Sequence, residues 1–383
     1  MKRLLEEIIE LLEIPRSYYE KAEDRYHSLA DWFHRPESSI KDFNPDVYPQ
    51  GSFRYGTVIR PLLDNEEYDL DLVCQLELPK TELTQEQFKN LVGNEVKSYA
   101  TGNSLKEPAR EKPRCWRLEY QDEVNFHMDI LPAVPDDQEF KALLIGKGVP
   151  RAFADEAIAI TDIKHPRYST VIGDWPKSNP RGFAAWFEER MMAAALDRRR
   201  QLVANRTYAS VEEVPTYEWK TSLQHAIQIL KRHRDIMFRS EPEKKPISMI
   251  ITTLSSHAYQ EERDIDDALE NIVHRMPRFV QDGKPRVPNP VDPAEDFADK
   301  WSKDPELEKN FWVWHKQVQI DLGNLGGPSS AAELEKLVKR RFGVDVAPSV
   351  AAQLAASTGG AVAGAVVSKP ATVIRSAPKP WNS

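Results

Sequence analysis

The chain has 383 residues, which is enough for two domains or for one large bilobal domain with a sizeable core. Its 52 Lys and Arg residues against 60 Asp and Glu residues give a net charge of −8, which argues against broad electrostatic binding of nucleic acid and favours nucleotide-sized substrates. With only two cysteines, Cys74 and Cys115, the chain has neither a disulfide framework nor a cysteine zinc site, and a reducing cytoplasm is its expected location. No apolar run approaches the length of a membrane span, and the acidic N-terminus is unlike a signal peptide.

Two helices are predicted at the start of the chain. Apolar residues recur at helical spacing in residues 3–13 and again in residues 16–34, and Pro15 lies at the join. Because proline disrupts a helix interior, the pattern predicts one kinked helix or two short ones, with a packing role only.

A polar stretch, Gln50-Gly51-Ser52, follows a loop that is rich in Pro, Asn, Asp and Ser. A Gly-Ser turn offers backbone N–H groups and a hydroxyl that suit a phosphate chain, although the same dipeptide is common in ordinary turns. Residues 53–59 are expected to open a short helix whose N-terminal amides face the phosphates.

The next element is a strand that carries two carboxylates on one side. From Asp69 to Leu78, leucines and a cysteine alternate with mostly polar residues, which is the period of a half-buried β-strand. Asp69 and Asp71 therefore point the same way. Such a pair is costly unless a cation lies between the carboxylates, and hard oxygen ligands favour Mg²⁺ or Mn²⁺. Together with the Gly-Ser turn, the pair indicates a metal-dependent nucleotidyl-transfer site.

A helix over residues 84–100 and a hairpin of residues 115–120 and 125–134 are predicted next. Within the second hairpin strand, Asp129 lies among apolar residues. A buried lone Asp needs a partner, so its interpretation stays open between a capping or salt-bridge role and a third metal ligand.

The character of the sequence changes near residue 180. Residues 186–202, 219–238 and 247–259 show helical periodicity, which predicts a helical second domain. A Pro-rich loop over residues 281–297 and one more helix follow, and the tail beyond a short helix at 331–341 has the composition of a flexible segment. We therefore expect a core at 1–180 that includes the N-terminal helix, a helical domain at 181–325, and a short helix with a flexible tail at 326–383.

Several motifs in order resemble one family. They are Gln-Gly-Ser at 50–52, Asp-Leu-Asp-Leu-Val at 69–73, His-Met-Asp-Ile-Leu-Pro-Ala at 127–133, Ser-Asn-Pro-Arg-Gly-Phe at 178–183, and a Lys-bearing helix followed by Pro-Ile-Ser-Met-Ile at 246–250. Over roughly residues 1–320 the chain resembles the bacterial cGAS/DncV-like nucleotidyltransferases of the polymerase-β-like superfamily, which synthesise second messengers in CBASS anti-phage systems. The tail lies outside the resemblance.

The resemblance implies an α+β, bilobal fold, in which a polymerase-β-like core with a mixed sheet joins a helical domain like that of oligoadenylate synthetases. It implies that Asp69, Asp71 and Asp129 are catalytic and hold two Mg²⁺ ions, with Mn²⁺ as a substitute. It also implies that Gln50, Gly51 and Ser52 contact nucleotide phosphates. The same role is implied for Lys231 and Ser248, which would reach the triphosphate from the helical domain. In related enzymes the residue after this Ser can stack on a base, and here that residue is Met249.

The implied product is a cyclic di- or trinucleotide made from ATP, with GTP, CTP or UTP as further substrates. Ring size, base identity and linkage are not readable from the sequence. The implied partners are a downstream effector that senses the product and, through the tail, a HORMA-like regulator or a ubiquitin-like conjugation system. Two alternatives remain: transfer to an RNA or protein acceptor, and a catalytically silent regulatory member.

Overall fold

The protein combines a seven-stranded mixed β-sheet with a larger set of helices in a computed structural model. The structure describes residues 1–62, 67–120, 126–204, 219–325 and 330–359. Up to the last strand of the sheet, the elements are α1 (Lys2–Leu12), α2 (Arg16–His34), β1 (Asp46–Pro49), α3 (Gly51–Arg54), β2 (Tyr68–Gln75), α4 (Gln85–Gly102), β3 (Arg110–Glu111), β4 (Trp116–Tyr120), β5 (Phe126–Pro135), α5 (Gln138–Gly146), α6 (Arg151–Ala154), β6 (Ile158–Ile160) and β7 (Lys177–Ser178). The rest are α7 (Pro180–Glu189), α8 (Met192–Ala204), α9 (Ser222–Met237), α10 (Ser248–Ala258), α11 (Ile265–Arg275), β8 (Pro288–Asn289), β9 (Asp292–Asp296), α12 (Pro305–Leu325), α13 (Ala331–Phe342) and α14 (Pro348–Gly359).

The sheet has the order β1-β2-β5-β4-β3, and β6 and β7 extend it from β5. Strands β2 and β5 run parallel, whereas the other pairs are antiparallel. In the β2–β5 register, Asp71 lies opposite Asp129 and Asp69 lies opposite His127. The sheet therefore brings together residues that are far apart in the sequence, and the predicted hairpin of β4 and β5 is confirmed.

The alternation that predicted β2 is confirmed in its packing. Leu70, Leu72 and Cys74 are buried in a core formed with α2 and α4, whereas Val73 belongs to a smaller cluster on the opposite side. Strand β2 ends at Gln75, three residues before the predicted end, although the N–H of Leu76 still donates to the carbonyl of Ala133 at 2.9 Å and Leu76 and Leu78 remain buried. The β-sheet with α2 and α4 is called the sheet lobe below.

The remaining helices share a second core, here called the helical lobe, which consists of α1 and α5–α14. Helix α9 contacts α1, α10, α11, α12 and α13. It begins with a reciprocal capping box between Thr221 and Gln224, which satisfies exposed backbone donors of its first turn. Helix α1 packs here rather than against the sheet, so the chain crosses between the lobes near Pro15. The boundaries at residues 180 and 325 stay a prediction.

Three segments differ from the expectations. The helical pattern over 186–202 is divided into α7 and α8, and the Pro-rich loop contains the two-stranded sheet of β8 and β9. In the predicted flexible tail, α14 contacts α1 and α13 and buries Val350 and Ala351. The turn predicted at 121–123 and the part of the predicted tail at 360–383 lie outside the described residues. In the part of the chain that is described, no helix combines the length and apolar composition that a bilayer crossing requires.

Candidate active site

The turn at Gly51 is locked to the strand that carries the aspartates. Gly51 has a φ of 66°, a left-handed conformation that glycine adopts without steric cost, and it begins α3, so the short helix expected at 53–59 lies slightly earlier. A Cβ atom at Gly51 would come within 2.5 Å of Asp71 Oδ2. The backbone N–H of Gln50 donates to the carbonyl of Asp71 at 2.8 Å. Gln50 and Gly51 therefore hold the turn directly beside the carboxylate.

Asp69 and Asp71 lie in different environments although they share one strand. The Asp69 side chain is 65% exposed, whereas that of Asp71 is largely buried. Burial raises the pKa of Asp71 to about 7, and the neighbouring charges of Asp69 and Asp129 add to the shift. The site therefore holds more negative charge than it stabilises by itself.

Asp129 is engaged in an ion pair with Arg117. Arg117 lies on β4 directly opposite Asp129, and its Nε and Nη2 atoms donate to Asp129 Oδ1 and Oδ2, both at 2.7 Å. This bidentate geometry is the strongest form of an arginine–carboxylate pair. The salt-bridge role left open for Asp129 is thus present in the structure. Its role as a metal ligand stays a prediction.

One face of α9 holds the segment that follows the Gly-Ser turn. Gln224 donates to the carbonyl of Tyr55 at 2.9 Å, Gln228 to that of Val58 at 2.7 Å, and Lys231 Nζ to the carbonyl and hydroxyl of Thr57 at 3.1 and 3.0 Å. The three α9 residues are four and three positions apart, so they share one helix face. This face is buried, although basic and amide side chains on a helix usually face solvent.

Lys231 is the cation of that face. Burial lowers its pKa to about 7, and the positive charge of Arg234 adds to this effect. Arg234 in turn donates to the hydroxyl of Ser248 at 3.0 Å and to the carbonyl of Pro246. Arg234, which follows Lys231 by three positions on α9, therefore holds the hydroxyl of Ser248 on the same side of the cavity.

These residues surround a cavity of about 1130 Å³ between the lobes. The predicted site residues that line it are Gly51, Ser52, Asp69, Asp71, Lys231 and Ser248. Arg117 also lines the cavity, whereas Asp129 is not among the described lining residues. Gln50 does not line it either, but its backbone N–H holds Asp71 from behind. The structure thus brings six of the eight predicted residues to one cavity.

Sequence reasoning missed Arg117, Arg234 and Thr57. The pairing of the predicted hairpin would have placed Arg117 opposite Asp129 if the length of its turn had been known. Thr57 belongs to no motif, and Arg234 lies off the apolar stripe of α9, where basic residues usually face solvent.

The donor chemistry at β2 fits a divalent metal. Asp71 is a buried carboxylate beside a second carboxylate, and its raised pKa is the signature of charge that lacks a counter-ion. In the described ranges, no three His, Cys, Asp or Glu side chains are gathered as a ready ligand set, and Asp129 is held by Arg117. Asp69 and Asp71 could bind the metal without rearrangement, whereas Asp129 would have to share its carboxylate between the metal and Arg117.

A second cavity of about 880 Å³ lies between α1, α8 and α9 and contains none of the predicted site residues. Its wall includes Lys220, which is buried and donates to Glu13 and to the hydroxyl of Tyr19 at 2.9 Å. These contacts tie the start of α9 to the junction of α1 and α2.

A mixed sheet presents paired carboxylates to a cavity that helices close from the other side, which is the arrangement that the sequence resemblance implied. Residues 45–132 match the family described as "Cyclic GMP-AMP synthase DncV-like, nucleotidyltransferase domain". The match covers β1, β2 and most of β5, and therefore all three predicted catalytic aspartates.

Characterised relatives extend this likeness over most of the chain. A c-di-GMP synthase of Roseivirga ehrenbergii is 28% identical over 345 residues, which cover 89% of this chain and 84% of the relative. The cyclic dinucleotide synthase CdnG of Bradyrhizobium diazoefficiens is 27% identical, over 82% of this chain and 72% of the relative. Residues 45–132 therefore carry a DncV-like nucleotidyltransferase domain, and the resemblance to the cGAS/DncV-like nucleotidyltransferases expected from the sequence is confirmed.

Solved structures show the same fold. The structure of CdnG in complex with GTP superposes with a TM-score of 0.65 at 23% identity, covering 92% of this chain and 97% of that one. A complex of CdnC with a HORMA protein from E. coli MS115-1 gives a TM-score of 0.58 at 10% identity, covering 87% of this chain and 94% of that one. The α+β, bilobal fold expected from the sequence is confirmed.

Proposed function

We propose that this protein synthesises a cyclic oligonucleotide, with a cyclic dinucleotide as the first product to test, from nucleoside triphosphates and with Mg²⁺ as cofactor. The observation that carries the proposal is the composition of the cavity between the lobes. Carboxylates for metal ions, Asp69 and Asp71, lie on one wall, and groups suited to a triphosphate, Lys231 and Ser248, lie on the other. Both relatives described above are named as cyclic dinucleotide synthases, which supports this choice of reaction.

The proposed roles follow from the chemistry of each side chain. Mg²⁺ ions held by Asp69, Asp71 and Asp129 would supply charge neutralisation at the phosphates and activation of the attacking hydroxyl. Lys231, in its protonated form, would bind the triphosphate. The hydroxyls of Ser52 and Ser248 would donate to phosphate oxygens, and Arg234 positions Ser248 for this contact.

Two observations bear on which nucleotide is the substrate. ATP is the substrate implied by the sequence resemblance, with CTP and UTP as further candidates. GTP gains support because one relative is named a c-di-GMP synthase and CdnG has been solved with GTP. Met249 lines the cavity next to Ser248, so a base there would contact a flexible thioether rather than an aromatic ring.

We place the reaction in cytoplasmic anti-phage signalling, where a downstream effector would sense the product. The likeness to CdnC, whose structure was solved with a HORMA protein, supports testing a HORMA-like activator. Docking of such a partner, or attachment of a ubiquitin-like protein, through residues 360–383 stays a prediction because those residues are not described.

The test is incubation with all four labelled nucleoside triphosphates and Mg²⁺, followed by phosphatase treatment and mass spectrometry of the resistant products. A resistant cyclic product and pyrophosphate release are expected. The double variant Asp69→Asn/Asp71→Asn should lose both signals, whereas the matched control Asp24→Asn/Asp31→Asn on the exposed face of α2 should keep them. If neither product nor pyrophosphate appears, with or without a HORMA-like protein, the proposed function is wrong.

A further inference from the structure

Arg117 places a positive charge beside the aspartates that line the cavity. Its guanidinium donates to both oxygens of Asp129 at 2.7 Å, and a third nitrogen lies 3.3 Å from His127 Nδ1. The side chains of Arg117 and Asp129 are 23% and 17% exposed, so water screens the pair only in part. Arg117 lines the cavity, whereas Asp129 is not among the described lining residues.

The position of this pair matters because Asp129 is the strand neighbour of Asp71. In the β2–β5 register the two residues are directly opposite, so Asp129 is the carboxylate on the neighbouring strand that a metal held by Asp71 could also use. Each oxygen of Asp129 already accepts a charged hydrogen bond. A divalent cation that approached Asp129 would therefore meet the positive guanidinium at the same carboxylate.

We propose that Arg117 competes with the divalent metal for Asp129, so that metal binding at this carboxylate displaces the arginine from at least one oxygen. The inference rests on the proposed function in one respect, namely that a metal uses this site. Arg117 is accordingly a positioning residue. It holds Asp129 in order when no metal is bound and sets how tightly the metal is held.

The direct test is the affinity of the full chain for Mn²⁺, measured by electron paramagnetic resonance of the free ion without nucleotide. Arg117→Gln removes the competing charge and both hydrogen bonds, and Mn²⁺ is expected to bind roughly tenfold more tightly. The gain in melting temperature that Mn²⁺ produces should also be larger in this variant. Arg117→Lys keeps the charge but loses the bidentate geometry, so its affinity should lie between the two.

A double-mutant cycle separates competition at Asp129 from a general change of charge. In the Asp129→Asn background, Arg117→Gln should change Mn²⁺ affinity little, because the shared carboxylate is gone. The matched control is Arg110→Gln on the neighbouring strand β3, where the arginine pairs with Glu107 and Glu119. That variant should bind Mn²⁺ like the unmodified protein.

Weaker or unchanged Mn²⁺ binding in Arg117→Gln would overturn the proposal, as would an equal gain in the presence and absence of Asp129. If Arg117→Gln fails to fold, judged by circular dichroism, Arg117→Lys decides by the same criteria. Since the readout is metal affinity, a failure to form cyclic product would count against the proposed function and leave this inference standing.

Discussion

At the residue scale, the pKa of Asp71 links the chemistry of the site to the stability of the protein. The pKa is raised to about 7, so between pH 4 and 7 the folded protein binds a proton that the unfolded chain has lost. Folding stability from this group is therefore present at low pH and is lost as the pH rises through 7. A metal ion or a neutral substitute would restore it.

We predict that Asp71→Asn stabilises the metal-free protein at pH 8 by roughly 2 kcal/mol and has little effect at pH 4.5. The measurement is the melting temperature in EDTA at both pH values. Asp69→Asn is the control, because Asp69 is exposed, and its gain should be smaller. An equal effect of Asp71→Asn at both pH values would contradict the conclusion that burial raises the pKa of Asp71.

Lys231 gives the second prediction at this scale. Its pKa, lowered to about 7 by burial, leaves the amine largely neutral at pH 8 in the free protein. A bound triphosphate favours the charged form, so nucleotide binding at pH 8 should take up close to one proton, and the uptake should vanish near pH 6. Calorimetry in buffers of different ionisation enthalpy measures it.

Lys231→Met should abolish this proton uptake and raise the KM for nucleotide. Lys245→Met is the matched control, because Lys245 lines the same cavity but pairs with Asp235. Proton uptake that persists without Lys231 would assign it to another group and return Lys231 to a purely structural role.

At the scale of elements, the contact between the Gly51 turn and β2 determines where Asp71 lies. Gly51→Ala should destabilise the protein by roughly 1–3 kcal/mol, because it combines a left-handed φ with a close approach to Asp71 Oδ2. It should also lower turnover at least tenfold by displacing that carboxylate. The measurements are chemical denaturation and pyrophosphate release.

The control for this substitution is Gly146→Ala at the end of α5. A Cβ atom there meets nothing within 4 Å, so stability and turnover should remain near those of the unmodified protein. Normal turnover in Gly51→Ala would show that the turn adapts and does not fix the position of Asp71.

Helix α9 shows which structural features a sequence pattern predicts and which it misses. Its apolar stripe predicted a helix over residues 219–238, and the helix is present at Ser222–Met237. The pattern gave no sign that Gln224, Gln228 and Lys231 are buried, because their partners are backbone carbonyls of a distant segment. Local periodicity reports which face is apolar, but it does not report which polar face meets another lobe.

At the scale of the whole molecule, α14 couples a late segment of the chain to the first helix, α1. It contacts α1, where the backbone N–H of Ala347 donates to Glu7 and Arg3 donates to Gln353. A chain that ends at Val344 should lose roughly 2 kcal/mol of stability, because it exposes apolar surface of α1 and α13. A chain that ends at Gly359 should keep full stability.

Thermal unfolding and nucleotide turnover of both truncated proteins test this. Turnover should be retained in each at a temperature where the shorter one is folded, because α14 contributes no residue to the lining of the cavity. Equal melting temperatures would show that α14 is dispensable and that the tail begins earlier, as its composition suggested.

The fold class and the strand that carries Asp69 and Asp71 were predictable because their signals are local. The alternation around Asp69 and Asp71 and the order of the motifs were sufficient for the fold and for six of the cavity residues. The ion pair of Asp129 was not predictable, because it depends on the register between β4 and β5, which the alternation pattern of each strand alone does not give. The packing of α14 was hidden by a composition of small residues that also occurs in flexible tails.

The division of the cavity between two lobes has a thermodynamic consequence. The aspartates belong to the sheet lobe, whereas Lys231 and Ser248 belong to the helical lobe, so a nucleotide that contacts both sets favours one angle between the lobes. A protein that binds across both lobes and favours the same angle would strengthen nucleotide binding, and the nucleotide would strengthen that protein's binding by the same factor. Without nucleotide, the affinity of the sheet lobe for metal would not change when such a partner binds.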